Sequence, residues 1–159
     1  MPDSLPRKFS SPDELVAAVG EHLGCSDWLS LDQSRIDAFA EATGDRQWIH
    51  VDLQRAARGP HGCTIAHGYL TLSLLPALVA SIVSYAGWTT RLNYGSNKVR
   101  FPAAVRSGSR VRASAELVGV SPAATGLLVT TQVTLEHEYD GRLQPKPALV
   151  AEVLTLLLP

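Results

Sequence analysis

Between Gly68 and Trp88 the chain carries no charged side chain, and that run limits its folds to two kinds. A stretch of this length either crosses a bilayer or forms a helix that its own protein buries on every face. Pro76 and the scattered Thr71, Ser73, Ser81 and Ser84 interrupt it, and its flanks lack the lopsided Lys/Arg clusters that orient a membrane helix. Downstream the pattern has period two. Val111, Ala113, Ala115 and Leu117 alternate with Arg110, Arg112, Ser114 and Glu116; Leu127, Val129, Thr131, Val133 and Leu135 alternate with Leu128, Thr130, Gln132, Thr134 and Glu136. Strands with one apolar face need a cover, and the uncharged run supplies it. The expectation is an α+β fold in which an antiparallel sheet, strands over about residues 91–158, wraps a long central apolar helix over about residues 66–85. At 159 residues this is one domain spanning 1–159, with no membrane span.

The upstream half is punctuated as helices. Ser11-Pro12-Asp13-Glu14 reads as a capping box, followed by Leu15, Val16, Val19 and Leu23 and a stop at Gly24, which predicts a helical segment over 11–24. Asp32 caps a second helix whose stripe is Ile36, Phe39 and Ala40 and whose end is Gly44, leaving Asp45 on a loop. Asp52 caps a short helix through Ala57, closed by Gly59-Pro60.

A formal net charge of −1, without a Lys/Arg run, argues against nucleic acid as a partner, because binding the phosphate backbone needs concentrated positive charge. Cys25 and Cys63 lack C-x-x-C spacing, and the first residues lack an apolar leader, so a cytoplasmic protein with reduced thiols is expected.

Titratable residues crowd into 45–67: Asp45, His50, Asp52, His61, Cys63 and His67. The separations among His50, His61 and His67 match no H-E-x-x-H pattern, so no metal is expected. Cys63 as a nucleophile aided by His61 or His67 is a second option, although a single small thiol more often packs. The third is Asp45 and His50, five apart across a loop, acting together on water as acid and base. Each also has an ordinary explanation: Asp45 capping loop amides, His50 donating to a carbonyl. The next segment favours catalysis. Ile65-Ala66-His67-Gly68-Tyr69-Leu70 places the Gly68 N–H in a first helical turn, where it is unpaired and can hold a carbonyl oxygen that gains negative charge. Lys98, Arg100 and Arg106 are cations suited to coenzyme A phosphates, or simply exposed strand charges.

Ala42-Thr43-Gly44-Asp45-Arg46-Gln47-Trp48-Ile49-His50-Val51-Asp52, with Gly59-Pro60, Thr64 to Leu70, Asn93-Tyr94-Gly95 and Asn97 to Pro102, resembles the MaoC-like dehydratases, in particular their NodN-like branch. The family includes R-specific enoyl-CoA hydratases of the hotdog fold. The resemblance implies a hydro-lyase of fatty acid metabolism that interconverts trans-2-enoyl and (3R)-3-hydroxyacyl thioesters of coenzyme A or acyl carrier protein, without a cofactor, as a homodimer. By position Asp45 and His50 become the catalytic dyad and Gly68 the amide that polarises the thioester. His67, Trp48, Asn93, Lys98 and Arg100 fall at substrate positions; Trp48 either borders the acyl tunnel or packs beneath the loop. The chain departs from the family pattern at Gln47-Trp48, where Asn-Pro is usual, and at Pro76, where some hydratases carry serine. A hotdog thioesterase and a non-catalytic acyl-binding subunit are the rival readings.

Overall fold

Caps and left-handed residues divide the chain into short elements before any long strand begins. In the computed structural model, which describes residues 5–159, these are β1 (Arg7–Phe9), α1 (Pro12–Ala17), β2 (His22–Cys25), β3 (Leu29–Leu31), α2 (Gln33–Thr43), α3 (Trp48–Val51), α4 (Leu53–Ala57), α5 (Gly68–Ser73), α6 (Leu75–Ala80) and β4 (Val83–Tyr85). The long strands follow: β5 (Thr90–Arg100), β6 (Ser109–Ala123), β7 (Gly126–Tyr139), the two-residue β8 (Arg142–Leu143) and β9 (Leu149–Leu158). The first four residues, read above for a leader, lie outside the described residues.

The expected caps form. Ser11 Oγ accepts from the Glu14 N–H at 3.3 Å while the Glu14 carboxylate accepts from the Ser10 N–H at 2.6 Å. Asp32 and Asp52 accept from the Arg35 and Arg55 N–H groups. Gly44 closes α2 at φ +78°, a conformation that costs glycine least.

Two helical expectations need correction. The segment over 11–24 is helical only to Ala17; a turn at Gly20 (φ +91°) redirects the chain, and β2 joins the sheet against β6. Leu15 and Leu23 are both buried, but on a helix and a strand respectively, while Val16 and Val19 stay exposed. The central helix is also shorter than 66–85. It begins at Gly68 and ends at Ala80, and it breaks at Leu74 because Pro76 has no N–H to give back to the preceding turn. Val83–Tyr85 is strand, pairing parallel with β1. Among the described residues no helix is long and apolar enough to cross a membrane.

The sheet order is β2-β6-β7-β9-β5, antiparallel throughout, with β3 also on β6 and β8 on β7. Its inner face buries the predicted set: Val111, Ala113 and Leu117 on β6, Val129, Val133 and Leu135 on β7. Leu70, Leu74, Leu75 and Leu78 pack against them from α5 and α6. Each such side chain contributes about 1.5–3 kcal/mol of transfer free energy. The edge strand β5 is different. Every residue but Val99 is exposed, and its pairing with β9 slips twice, the second time around Lys98 at φ +53°.

Candidate active site

The loop after α2 and the segment entering α5 meet over one another. His50, on the single turn α3, is 6% exposed and His67, just before α5, is 3% exposed. Their rings stack with centroids 3.7 Å apart and an interplanar angle of 22°. The Asp45 carboxylate completes the cluster: one donor atom from each of the three residues lies within 4.8 Å of the others. Asp45 itself is exposed, so the carboxylate faces solvent while the two imidazoles are covered.

The backbone fixes the tautomers. His50 Nδ1 lies 2.7 Å from the Ile65 carbonyl, which can only accept, so Nδ1 carries the hydrogen and Nε2 the lone pair. His67 Nε2 donates to the Asp45 carbonyl at 2.8 Å, which ties the loop after α2 to the start of α5. His67 Nδ1 is buried without a partner, and the Phe39 ring covers that imidazole at a centroid distance of 5.0 Å. Burial holds the His50 pKa below the usual imidazole value; the hydrogen bond to Ile65 and the Asp45 charge oppose that, and His67 adds to it. His50 is therefore a neutral base at neutral pH.

Sequence reasoning missed what holds these groups. Gln33, at the start of α2, donates through Nε2 to the His50 carbonyl at 2.8 Å, and its Oε1 accepts from the Thr64 hydroxyl. One amide side chain thus pins both halves of the loop. A Gln immediately after a cap carries no signal of such a role.

Gly68 is the first residue of α5, and among the described residues no group accepts a hydrogen bond from its N–H. A Cβ built on it would sit 3.1 Å from the Phe101 ring. One turn further along α5 a groove of about 530 Å³ opens between the helices and the edge strand, lined by Leu72, Leu75, Pro76, Asn93, Val99 and Val153. Asn93 and Pro76 face it. Trp48 does not join this groove: its ring stacks under Arg55 at 4.4 Å and abuts Gly59, in the packing position beneath the loop. Lys98 pairs with Glu152, and Arg100 donates to the Val99 carbonyl, so both are engaged on the outer strand. Cys63 Sγ is directed to the His61 carbonyl at 3.7 Å.

Asp45, His50 and His67 also form a donor set that a metal ion could use, two imidazoles and a carboxylate being ligands of the kind zinc takes.

A stability prediction follows from the same burial. His50 and His137 both have folded pKa values below 6.5, in each case chiefly through burial. The unfolded chain takes up these protons first, so stability should fall as pH drops from about 6.5 towards the folded values, then level off with respect to these two groups. Urea titrations between pH 8 and pH 5 check this; a midpoint that rises over that descent contradicts it.

Residues 14–138 match the family model described as a MaoC like domain. The chain is 51% identical over 146 residues to 3-hydroxyacyl-thioester dehydratase Z of Mycobacterium tuberculosis, covering 92% of this chain and 95% of that protein. It is 44% identical over 147 residues to nodulation protein N of Rhizobium leguminosarum bv. viciae, covering 91% and 89%. Among solved structures it is similar to the (R)-hydratase of A. caviae involved in PHA biosynthesis, with a TM-score of 0.69, 22% identity, and 89% and 96% of the two chains covered. At that identity the likeness speaks for the fold alone, and the fold is the expected hotdog.

Proposed function

Because the chain belongs to the MaoC-like family, we propose that it hydrates trans-2-enoyl thioesters to (3R)-3-hydroxyacyl thioesters and catalyses the reverse dehydration, with Asp45 and His50 as the catalytic dyad. The observation that carries the reading is the fixed tautomer of His50: its Nδ1–H is spent on Ile65, which leaves Nε2 as the basic nitrogen of an imidazole clustered with the Asp45 carboxylate. His50 Nε2 takes a proton from a water held by the pair as the water oxygen bonds to C3. The electron pair of the C2–C3 double bond moves into the thioester, whose oxygen is received by the Gly68 N–H. C2 then takes a proton back from the dyad, so that one water is added and nothing is oxidised or reduced. The groove past Gly68 accommodates the acyl chain, with Asn93 at its polar side. Lys98 and Arg100 remain available to carrier phosphates only by leaving their present partners.

Loss of enoyl absorbance on mixing the protein with crotonyl-CoA, with longer enoyl-CoA substrates in parallel, tests the reading. Turnover with the (3R) product supports it. Thiol release from a saturated acyl-CoA, with no hydration, would replace it by a thioesterase.

The working unit in this reading is a homodimer built on β5. An edge strand of eleven residues with exposed backbone ladder groups is a site for pairing or aggregation unless covered. Leu92, Tyr94, Phe101 and Tyr69 are all large, apolar and at least 41% exposed, and a second copy would bury them. The Leu92→Lys/Tyr94→Lys double variant should shift the protein from dimer to monomer in light scattering and lower turnover at least tenfold. A dimer with full activity in that variant would rule out this seam.

A further inference from the structure

Where the start of β6 and the end of β7 meet the segments around Arg106 and Lys146 lies a cavity of about 260 Å³ to which the dyad contributes nothing. Two of its polar side chains are buried without partners: Ser109, 1% exposed, at Oγ, and His137, 4% exposed, at Nδ1. They are neighbours by register. Val111 on β6 pairs with His137 on β7, and Ser109 precedes Val111 by two, so Ser109 and His137 sit diagonally on the inner face. His137 Nε2 donates to the Lys146 carbonyl at 3.1 Å, which leaves Nδ1 as a buried acceptor on a residue that lines the cavity. Buried polar atoms of this kind are costly unless something bonds to them.

The rim is cationic. Arg106 and Lys146 line the cavity, no acidic residue does, and among the described residues neither cation has a carboxylate partner. The Arg106 guanidinium lies 5.0 Å from the ring centre of Tyr139, which also lines the cavity. Two unpaired cations suit a dianion better than a single carboxylate, and a guanidinium matches two phosphate oxygens at once. The inner pair asks for something else: an O–H that donates to His137 Nδ1 and accepts from the Ser109 hydroxyl.

We propose that this cavity binds a small phosphate ester bearing a nearby hydroxyl, with Arg106 and Lys146 on the phosphate and Ser109 and His137 on the hydroxyl. Such a group is available from a free metabolite or from the carrier of a thioester substrate. The site reports to the dyad in either case: Arg106 bridges to Ile65, and the Ile65 carbonyl holds His50.

Calorimetry with glycerol 3-phosphate as the probe and methyl phosphate as the control lacking hydroxyls tests this. Saturable binding of glycerol 3-phosphate is expected, tighter than that of methyl phosphate. It should weaken at least tenfold in Arg106→Gln, an exposed side chain whose loss leaves the fold intact, and Ser109→Ala should erase the preference over methyl phosphate. The His137 ring resonances should shift on addition of the probe. These measurements need no turnover, so they stand or fall apart from the hydratase reading. Kinetics then assign the source. A KM raised by Arg106→Gln for crotonyl-CoA but not for crotonyl-pantetheine marks the carrier, and unchanged KM values for both mark a free ester. No saturable binding to the wild type, or equal binding in wild type and Arg106→Gln, overturns the proposal and leaves the cavity to water.

Discussion

Asp45→Asn should lower kcat/KM for crotonyl-CoA hydration by about 10³-fold or more, near 4 kcal/mol of transition-state stabilisation, with the fold unchanged. The substitution keeps the size of the side chain and removes its charge. Asp45 is exposed, its carbonyl would still accept from His67, and an amide oxygen can still receive the weak Gln47 N–H contact at 3.4 Å. His50→Ala should cost as much in rate but also some stability, because it leaves the Ile65 carbonyl without its donor and uncovers one face of His67. If both residues act on one water, the double variant should be little worse than either single one, since members of one catalytic unit are not additive. The acid limb of the wild-type kcat/KM profile should lie below the ordinary imidazole value, because burial keeps His50 unprotonated to lower pH. Asp45→Asn activity within tenfold of wild type, by enoyl absorbance, would end the dyad assignment.

Local chemistry made much of the fold legible. Ser11, Asp32 and Asp52 cap where their neighbours said they should, since a cap needs only a side-chain oxygen and the next three amides. The alternation on β6 and β7 likewise reports which face is buried, because both strands are flanked within this chain. Reading failed where a local pattern has two solutions. Leu15 and Leu23 fit a helical stripe and are both buried, yet the second reaches the core on a strand. The uncharged run reads as one helix because apolarity carries no phase; its break at Leu74 was written in Pro76, and its end in the β-branched Ile82-Val83 that turns into β4.

Legibility of the site divides along similar lines. Asp45, His50 and Gly68 stand out by type and spacing, and the fold brings the first two together with His67. The supports do not stand out. Gln33 acts through the His50 carbonyl, and Ile65 through its own carbonyl, so neither function depends on a recognisable motif. Trp48 is a different case: its type and place in the chain allow either a tunnel wall or packing beneath the loop, and its ring lies against Arg55 and Gly59.

Gly68→Val should reduce kcat by about 10²–10³-fold, the usual consequence of losing one oxyanion donor. The reason is placement rather than propensity. The N–H of residue 68 has no acceptor among the described residues, so its position is set only by the path of the chain into α5. Even the first carbon of a side chain would lie 3.1 Å from Phe101 Cδ1 and Cγ, and two further methyl groups leave the ring or the backbone to move. Phe101 is 41% exposed and yields more easily than backbone, so Gly68→Ala should cost only about tenfold while Val displaces the amide itself. The two effects separate in a double-variant cycle. If crowding moves the amide, Phe101→Ala should restore most of the activity lost in Gly68→Ala, giving a coupling well away from zero. Additive losses would mean that the ring and the glycine act independently, and that the close approach between them has no part in aiming the amide at the thioester oxygen.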